Sequence, residues 1–177
     1  MTGRDFTGVG KYGDAFIVKS RPSHAEQLQS NLRSTDVREC VIAGVNPWRA
    51  LMQPFQEDTA ETYTALLNDE PVMMFGVVKQ HDLVGRIWML CSYEVEKYPK
   101  TFMKFSPSIV EYFQSQYYLL ENVCPVEHYK TLSWLGYLGF DILPDIIMQN
   151  GFQVVRFVRC QNNYYMPSIE DTRPVIS

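Results

Sequence analysis

The side chains in this sequence that most readily act as nucleophiles, acid–base groups or metal ligands are its cysteines and histidines. The four cysteines stand apart, with no C-x-x-C pair among them; they are Cys40, Cys91, Cys124 and Cys160. The three histidines are equally dispersed, and they are His24, His81 and His128. Neither set has the spacing of metal ligands or of a small disulfide-bonded domain. The sequence therefore predicts no metal site and no disulfide framework.

Common nucleotide-binding and nucleophile motifs are missing from the sequence. It contains no Walker phosphate loop, no G-x-S-x-G nucleophile elbow and no glycine-rich dinucleotide signature. With three histidines in the chain, no Ser–His–Asp order stands out from coincidence. The aromatic runs are not interleaved with Arg and Lys, which disfavours an RNA-binding sheet.

The composition predicts one folded domain without a nucleic-acid partner or a membrane span. The chain has 177 residues, of which 46% are hydrophobic and 14% aromatic, so it can bury a sizeable core. Its net charge of -4 gives no general attraction to nucleic acid or to an anionic membrane. No apolar run approaches the roughly 20 residues of a membrane span. Residues 1–14 are polar and Gly-rich, unlike a signal peptide, so a cytosolic location is expected.

The pattern of apolar residues predicts an α/β domain over residues 15–160, with tails at 1–14 and 161–177. In the first half of the domain, this pattern predicts a strand followed by helices. These are a strand at 15–19, a helix opened by a capping box of Ser23 with Glu26, a helix capped by Asp36 with Glu39, and a short helix after Asn46-Pro47.

In the second half of the domain, the pattern predicts most of the strands of the sheet. The expected elements are a hairpin of strands at 62–67 and 72–78, a polar loop at 79–86, a strand at 87–92, a helix from Pro99 broken or kinked at Ser106-Pro107, a strand at 117–123, a helix at 127–138 and a strand at 152–158. Strands and helices in this order favour a mixed sheet with helices on both faces.

One stretch carries a resemblance to a known family. From Tyr117 to Phe140 a strand is followed by a helix that ends in Leu-Gly-Phe. Together with Ile17–Pro22 and the glycine-centred run Glu70–Val77, this resembles the GNAT superfamily of N-acetyltransferases over residues 15–160. Shorter motifs resemble GNAT-like proteins of tailed phages, among them an internal virion protein of short-tailed lytic phages. These motifs are Arg21-Pro22, Met74–Gly76, Ile87–Leu90, Phe102–Phe105 and Trp134-Leu135 before Gly139-Phe140.

The resemblance implies a mostly antiparallel mixed sheet whose fourth and fifth strands splay apart around acetyl-CoA. The pantetheine arm would lie between these strands, and its phosphates at the start of the next helix. The implied cofactor-binding residues are Leu90, Cys91, Ser92, Lys97, Lys100, Thr101 and Lys104. The implied catalytic candidates are Glu121 in the fifth strand and His128, which stands where the family usually has Asn.

The sequence also departs from the family pattern at the implied site. The phosphate loop within residues 94–102 has no glycine and carries Glu94 and Glu96, so a solvated helix start of mixed charge is the alternative interpretation of the lysines. Leu135 occupies the position of the Tyr that usually protonates the leaving thiolate.

These departures favour a phage protein with a degenerate acetyl-CoA site. It would act through protein contacts as a virion-associated or infection-stage protein, in the host cytoplasm or in the virion. Its partner would be a virion component or a host protein, and self-association into a homo-oligomer is also considered. Two alternatives stay open: an active acetyl-CoA-dependent N-acetyltransferase acting on a host protein or a small amine, and a host-directed inhibitor that uses the fold as a scaffold.

Overall fold

The computed structural model describes residues 8–161, and its centre is one eight-stranded sheet. The strands are β1 (Gly10–Tyr12), β2 (Ala15–Lys19), β3 (Ala60–Leu67), β4 (Glu70–His81), β5 (Val84–Cys91), β6 (Leu119–Pro125), β7 (Asp141–Gln149) and β8 (Phe152–Cys160). Their order across the sheet is β1-β2-β3-β4-β5-β6-β8-β7. All neighbouring strands pair antiparallel except β5 and β6, which are parallel.

The helices in the described residues are α1 (Pro22–Leu28), α2 (Ser34–Ile42), α3 (Pro47–Met52), α4 (Pro99–Gln114) and α5 (Tyr129–Tyr137), with short 3-10 turns at Gln53–Gln56 and Tyr93–Lys97. None of these helices combines the length and apolarity needed to cross a bilayer.

Two apolar clusters cover the two faces of the sheet. Because side chains alternate along a strand, neighbours such as Met73 and Met74 of β4 enter different clusters. Met74 packs with buried residues of α1, α2 and α3, such as Leu28 and Leu51. Met73 belongs to the larger cluster, which includes Phe113 of α4. The prediction of a mixed sheet with helices on both faces is therefore confirmed.

The β3–β4 hairpin also forms as predicted. Asn68 and Asp69 have φ values of 50° and 64°, the left-handed conformation that a two-residue hairpin turn requires. In the same pair of strands, Gly76 lies so close to β3 that a Cβ there would be 2.2 Å from the Glu61 carbonyl oxygen. Only glycine fits this position, which explains the central glycine of the strand.

Two strands were not predicted from the sequence. β1 lies within the segment expected to be an N-terminal tail, and it pairs with β2 at one edge of the sheet. β7 forms the opposite edge, although its sequence includes Pro144. Proline is tolerated there because the pairing with β8 shifts register between Ile142 and Ile146, and an edge strand has a side without ladder hydrogen bonds. Residues 1–7 and 162–177 of the predicted tails lie outside the described residues.

Two of the predicted helix caps are wrong, and one is confirmed. Helix α1 is capped at Arg21 and α2 at Arg33, so neither Ser23 nor Asp36 occupies an N-cap. Tertiary contacts override the local signal for α2, because Asp36 turns inward instead. Asn46 does cap α3, and its side chain accepts a hydrogen bond from the Arg49 N–H at 2.8 Å.

Two further predictions needed correction. The segment 79–86 is not a loop, because β4 extends to His81 and β5 begins at Val84. Helix α4 is not broken at Ser106-Pro107 but runs from Pro99 through to Gln114. The Ser106 hydroxyl donates a hydrogen bond to the Phe102 carbonyl one turn earlier in the helix.

Candidate functional site

The strands β5 and β6 diverge and open a cleft in the sheet. They pair over three residues only, with Val84, Gly85 and Arg86 opposite Leu119, Leu120 and Glu121. Beyond these residues β5 runs on to Cys91 and β6 to Pro125. The cleft between them has a volume of about 1050 Å³. Since β1 precedes the first predicted strand, β5 and β6 are the predicted fourth and fifth strands, and their predicted splaying is confirmed.

The side chain of Asn122 sits at the point of divergence. Its Nδ2 donates to the Ile87 carbonyl oxygen at 2.7 Å, and its Oδ1 accepts from the Val123 N–H at 2.8 Å. One side chain thus replaces the first lost contact between the two strands. Sequence reasoning missed this residue, although an Asn within an apolar strand is an unusual choice that could have marked it.

The backbone of β5 faces the cleft at every second residue. The Ser92 N–H donates to the Val72 carbonyl of the β4 side at 2.9 Å, so the backbone groups of Ser92 point away from the cleft. In an antiparallel ladder this direction alternates, so the groups of Cys91 and Met89 point toward β6. Met89 lies beyond the last paired residue of β5 and also lines the cleft.

The backbone of Cys91 is already bonded to the start of α2. Its carbonyl accepts from the Arg33 N–H at 2.9 Å, and its N–H donates to Asp36 Oδ1 at 3.1 Å. Asp36 is 2% exposed and pairs with Arg33 Nε at 2.6 Å. Of Cys91 and Met89, Met89 is therefore the one whose backbone is not bonded to α2.

Helix α2 also contacts the far side of the cleft. Glu39 Oε1 lies 3.1 Å from Nδ1 of His128, and Arg38 forms an ion pair with Glu127. His128 is the N-cap of α5, directly after β6. The helix thus bridges the two diverging strands. These partners are 55 to 89 positions apart in the chain, which placed them beyond the reach of local sequence patterns.

The two predicted catalytic residues lie apart from each other. Glu121 is buried at the paired end of β6, where its Oε1 accepts from Arg86 Nε at 3.2 Å and Nη2 at 3.1 Å. His128 lies at the other end of β6, beside Glu39 and Cys124. Neither Glu121 nor His128 is among the residues that line the cleft.

The predicted cofactor residues also separate into two groups. Leu90 and Cys91 line the cleft, although the backbone of Leu90 faces β4. The others are outside its lining: Ser92, Lys97, Lys100, Thr101 and Lys104. Ser92 caps a 3-10 turn, Lys97 pairs with Glu94 at 2.7 Å, and Thr101 donates to Asp14 at 3.3 Å. The basic residues that do line the cleft are Arg33, Arg86 and Lys130.

The start of α4 offers few backbone donors to a phosphate. Pro99 has no N–H, and the N–H groups of Thr101 and Phe102 bond to the Tyr98 carbonyl at 3.1 and 3.3 Å. Helix α5 begins on the other side of the cleft, where Lys130 and Thr131 are among the lining residues. Any phosphate near this cleft would therefore depend more on side-chain charge than on α4.

Comparison with known proteins gives likeness in structure but not in sequence. No protein-family model matches the chain, and no curated protein is similar to it in sequence. Solved structures similar to it include a GNAT-family acetyltransferase from Bacillus anthracis, with a TM-score of 0.63, 11% identity, and coverage of 85% of this chain and 97% of that one. The ribosomal L7/L12 α-N-protein acetyltransferase RimL in complex with coenzyme A matches with a TM-score of 0.63 and 10% identity over 86% and 97%.

A third similar structure is a variant of the SpeG spermidine N-acetyltransferase from Vibrio cholerae. It has a TM-score of 0.61 and 9% identity, and covers 84% of this chain and 94% of that chain. At identities of 9–11%, the similarity to these structures shows a shared fold and nothing more.

Proposed function

Because the chain has the GNAT fold, we propose that it is an acetyl-CoA-dependent N-acetyltransferase whose cofactor enters the cleft between β5 and β6. The observation that carries the proposal is the divergence of this parallel pair, which leaves the Met89 backbone directed into the opening. An extended pantetheine arm can pair with such a strand edge in the manner of an added strand. Met89 is an unbranched apolar residue that also lines the cleft.

The proposed reaction is direct transfer of the acetyl group to an amine. The Met89 N–H would donate a hydrogen bond to the thioester carbonyl oxygen and stabilise the negative charge that develops there. The amine nitrogen forms a bond to the carbonyl carbon, the C–S bond breaks, and CoA leaves as its thiolate. The amine loses one proton, which passes to water at the mouth of the cleft.

Calorimetry with acetyl-CoA tests the cofactor site. Met89→Pro removes the backbone N–H and should weaken binding about 10-fold, which corresponds to the loss of one hydrogen bond. Met89→Leu keeps the N–H and serves as the control, with affinity close to that of the wild type. Circular dichroism of both variants shows whether they are folded. Equal affinity of the two folded variants would contradict the role given to Met89.

Release of free CoA thiol, followed with a thiol reagent, tests the transfer. The amines to try first come from the similar structures: spermidine and an N-terminal peptide of a ribosomal protein. We expect thiol release that requires both acetyl-CoA and an amine, and that falls in Met89→Pro. Binding of acetyl-CoA without transfer to any primary amine of the panel would count against an N-acetyltransferase.

A second candidate is a protein that uses the fold as a scaffold for protein contacts. Two observations favour it: α2 already occupies the Cys91 backbone, and β7 exposes Ile146 and Met148 at an edge of the sheet. In this proposal the acetyl-CoA site is degenerate, and the partner is a host protein or a component of a phage virion. Absence of calorimetric heat with millimolar acetyl-CoA would favour this candidate over the enzyme. Mass spectrometry of purified particles would then distinguish a virion component from a host protein as the partner.

A further inference from the structure

Three side chains that commonly bind metals meet where α2 crosses the cleft. They are Glu39 of α2, Cys124 of β6 and His128 at the start of α5, and their ligand atoms all lie within 4.8 Å of one another. Cys124 is 2% exposed, and the side chain of His128 is 8% exposed. Glu39 and Cys124 also line the cleft. The group is therefore enclosed by protein on one side and reachable from the cleft on the other.

The spacing of the three ligand atoms is close to that of a tetrahedral site. With metal–ligand bonds of about 2.0–2.3 Å, the ligand atoms of such a site lie roughly 3.3–3.7 Å apart. The Glu39 Oε1 and His128 Nδ1 atoms are 3.1 Å apart. The remaining separations are at most 4.8 Å, so side-chain shifts of roughly 1 Å would bring all three atoms to one ion.

The second nitrogen of His128 lies near a further carboxylate, beyond hydrogen-bond distance. Its Nε2 lies 3.9 Å from Glu127 Oε1, and the Glu127 carboxylate is itself held by Arg38. Histidines that bind a metal through one nitrogen usually direct the other N–H toward a carboxylate or carbonyl, which fixes the tautomer and the ring orientation.

We propose that Glu39, Cys124 and His128 bind one zinc-type divalent ion, with the fourth coordination position open to the cleft. A thiolate, an imidazole and a carboxylate together favour Zn²⁺ over Mg²⁺ or Ca²⁺, which prefer oxygen ligands. Three protein ligands with one open position are typical of zinc sites that also hold water or substrate.

The ligands come from three elements, and this explains why the sequence predicted no metal site. His128 has no second histidine or cysteine near it except Cys124, four positions earlier on the preceding strand. The third ligand, Glu39, is 89 positions away and comes close only because α2 crosses the cleft.

Titration of the untagged, metal-free protein with Co²⁺ tests the proposal, since Co²⁺ replaces Zn²⁺ and is coloured. We expect one ion per chain, tetrahedral d–d bands in the visible, and a thiolate-to-cobalt charge-transfer band in the near ultraviolet. Zn²⁺ should displace the cobalt and remove both bands. Cys124→Ser should lose the charge-transfer band, whereas Cys160→Ser, the control at a cysteine outside the group, should keep it.

Glu127→Gln tests the second carboxylate separately from the ligands. It should keep the stoichiometry and the charge-transfer band but weaken Zn²⁺ binding about 10- to 100-fold, as expected for a residue that orients a ligand. A wild-type protein without a charge-transfer band would overturn the proposal, whatever the fate of the variants. So would a band that survives in folded Cys124→Ser. All these measurements omit acetyl-CoA, so their outcome is independent of the proposed transferase activity.

Discussion

Asn122 illustrates how one side chain can fix the point at which two strands separate. The Ile87 carbonyl would accept a hydrogen bond from a neighbouring strand if β5 and β6 stayed paired. Asn122 Nδ2 takes that place at 2.7 Å, while its Oδ1 accepts from the Val123 N–H. The carbonyl therefore stays paired although the strands part, which avoids the cost of a buried polar group without a partner.

Replacing Asn122 should destabilise the fold more than replacing an exposed asparagine. We expect Asn122→Ala to lower the free energy of unfolding by about 1–3 kcal/mol, since it leaves the Ile87 carbonyl without its partner. Asn31→Ala is the control, because Asn31 also donates to a backbone carbonyl, that of Gln27, but at an exposed position. Asn31→Ala should lower the free energy of unfolding by no more than about 0.5 kcal/mol. Urea unfolding of both variants measures the difference, and similar losses would contradict the special role of Asn122.

The cysteines should differ in reactivity toward a thiol reagent. Burial raises the pKa of Cys40 to about 11 and that of Cys124 to about 12, and it raises the pKa of Cys91 as well. A raised pKa lowers the fraction of reactive thiolate, and burial also blocks access. Cys160 is the one partly exposed thiol among the four. We therefore expect one rapidly labelled thiol per chain at pH 8, and four after unfolding in urea.

The Cys160→Ser variant is the control for this experiment. It should show no rapid phase in the folded protein and three thiols after unfolding. A second rapid phase in the native wild type, assigned by mass spectrometry to Cys40, Cys91 or Cys124, would contradict the expected protection and show that the reagent reaches that thiol, through the cleft or by opening of the core.

Among the elements, α4 contains an internal proline that it accommodates without a break. Pro107 lies in the middle of Pro99–Gln114 and has no N–H for the helical ladder. The flanking serines bond back to the helix: Ser106 donates to the Phe102 carbonyl and Ser108 to the Phe105 carbonyl at 2.8 Å. These two hydrogen bonds come from the residues directly before and after the proline. The apolar stripe with Phe105 and Ile109 is buried on the sheet.

Restoring the missing hydrogen bond should stabilise the helix. We expect Pro107→Ala to raise the free energy of unfolding by about 1–3 kcal/mol, because a proline inside a helix costs about that much. Pro99→Ala is the matched control, since proline at the first helical position costs little. Thermal or urea unfolding measures both. A destabilised Pro107→Ala would mean that the helix needs the proline's local geometry to pack.

The sequence predicted most elements but not their long-range contacts. Periodicity and turn residues located β2, the β3–β4 hairpin and the helices, because these signals are local. The strand β7 was missed because Pro144 interrupts its pattern, and the edge position that tolerates a proline is a property of the whole sheet. Asp36 was assigned to a helix cap on local grounds, whereas the folded chain directs it to the Cys91 N–H.

The candidate site was predictable to a similar extent. The resemblance pointed to the correct pair of diverging strands, and Leu90 and Cys91 do line the cleft. The sequence shows three closely spaced positive charges, at Lys97, Lys100 and Lys104. It could not show that these residues are exposed and outside the cleft lining. The contribution of α2 was invisible, since it depends on contacts between residues far apart in the chain.

At the scale of the whole molecule, one edge of the sheet exposes apolar side chains. The edge strand β7 carries Ile146 and Met148, which are 58% and 61% exposed. Edge strands with exposed apolar side chains and unpaired backbone groups tend to pair with another strand. The acidic net charge of -4 is too small to prevent such an approach.

We expect the protein to self-associate through β7 at increasing concentration. Sedimentation velocity should show a shift from monomer to dimer for the wild type, and Ile146→Lys should suppress it, because a charged side chain on an edge strand opposes pairing. Leu83→Lys is the control, since Leu83 is 60% exposed in a turn and not on an edge strand. A dimer that persists in Ile146→Lys would place the contact elsewhere.

The bridging position of α2 ties the width of the cleft to the stability of one helix. Through Asp36 it is attached to β5, and through Glu39 and Arg38 to the start of α5. By thermodynamic reciprocity, a molecule that binds better when α2 is intact must stabilise the folded form of α2 by the same free energy that the intact helix adds to its binding. Amide hydrogen exchange in residues 34–42 should therefore slow when acetyl-CoA is added. The exchange rate of this helix would then report whether the proposed cofactor site is occupied.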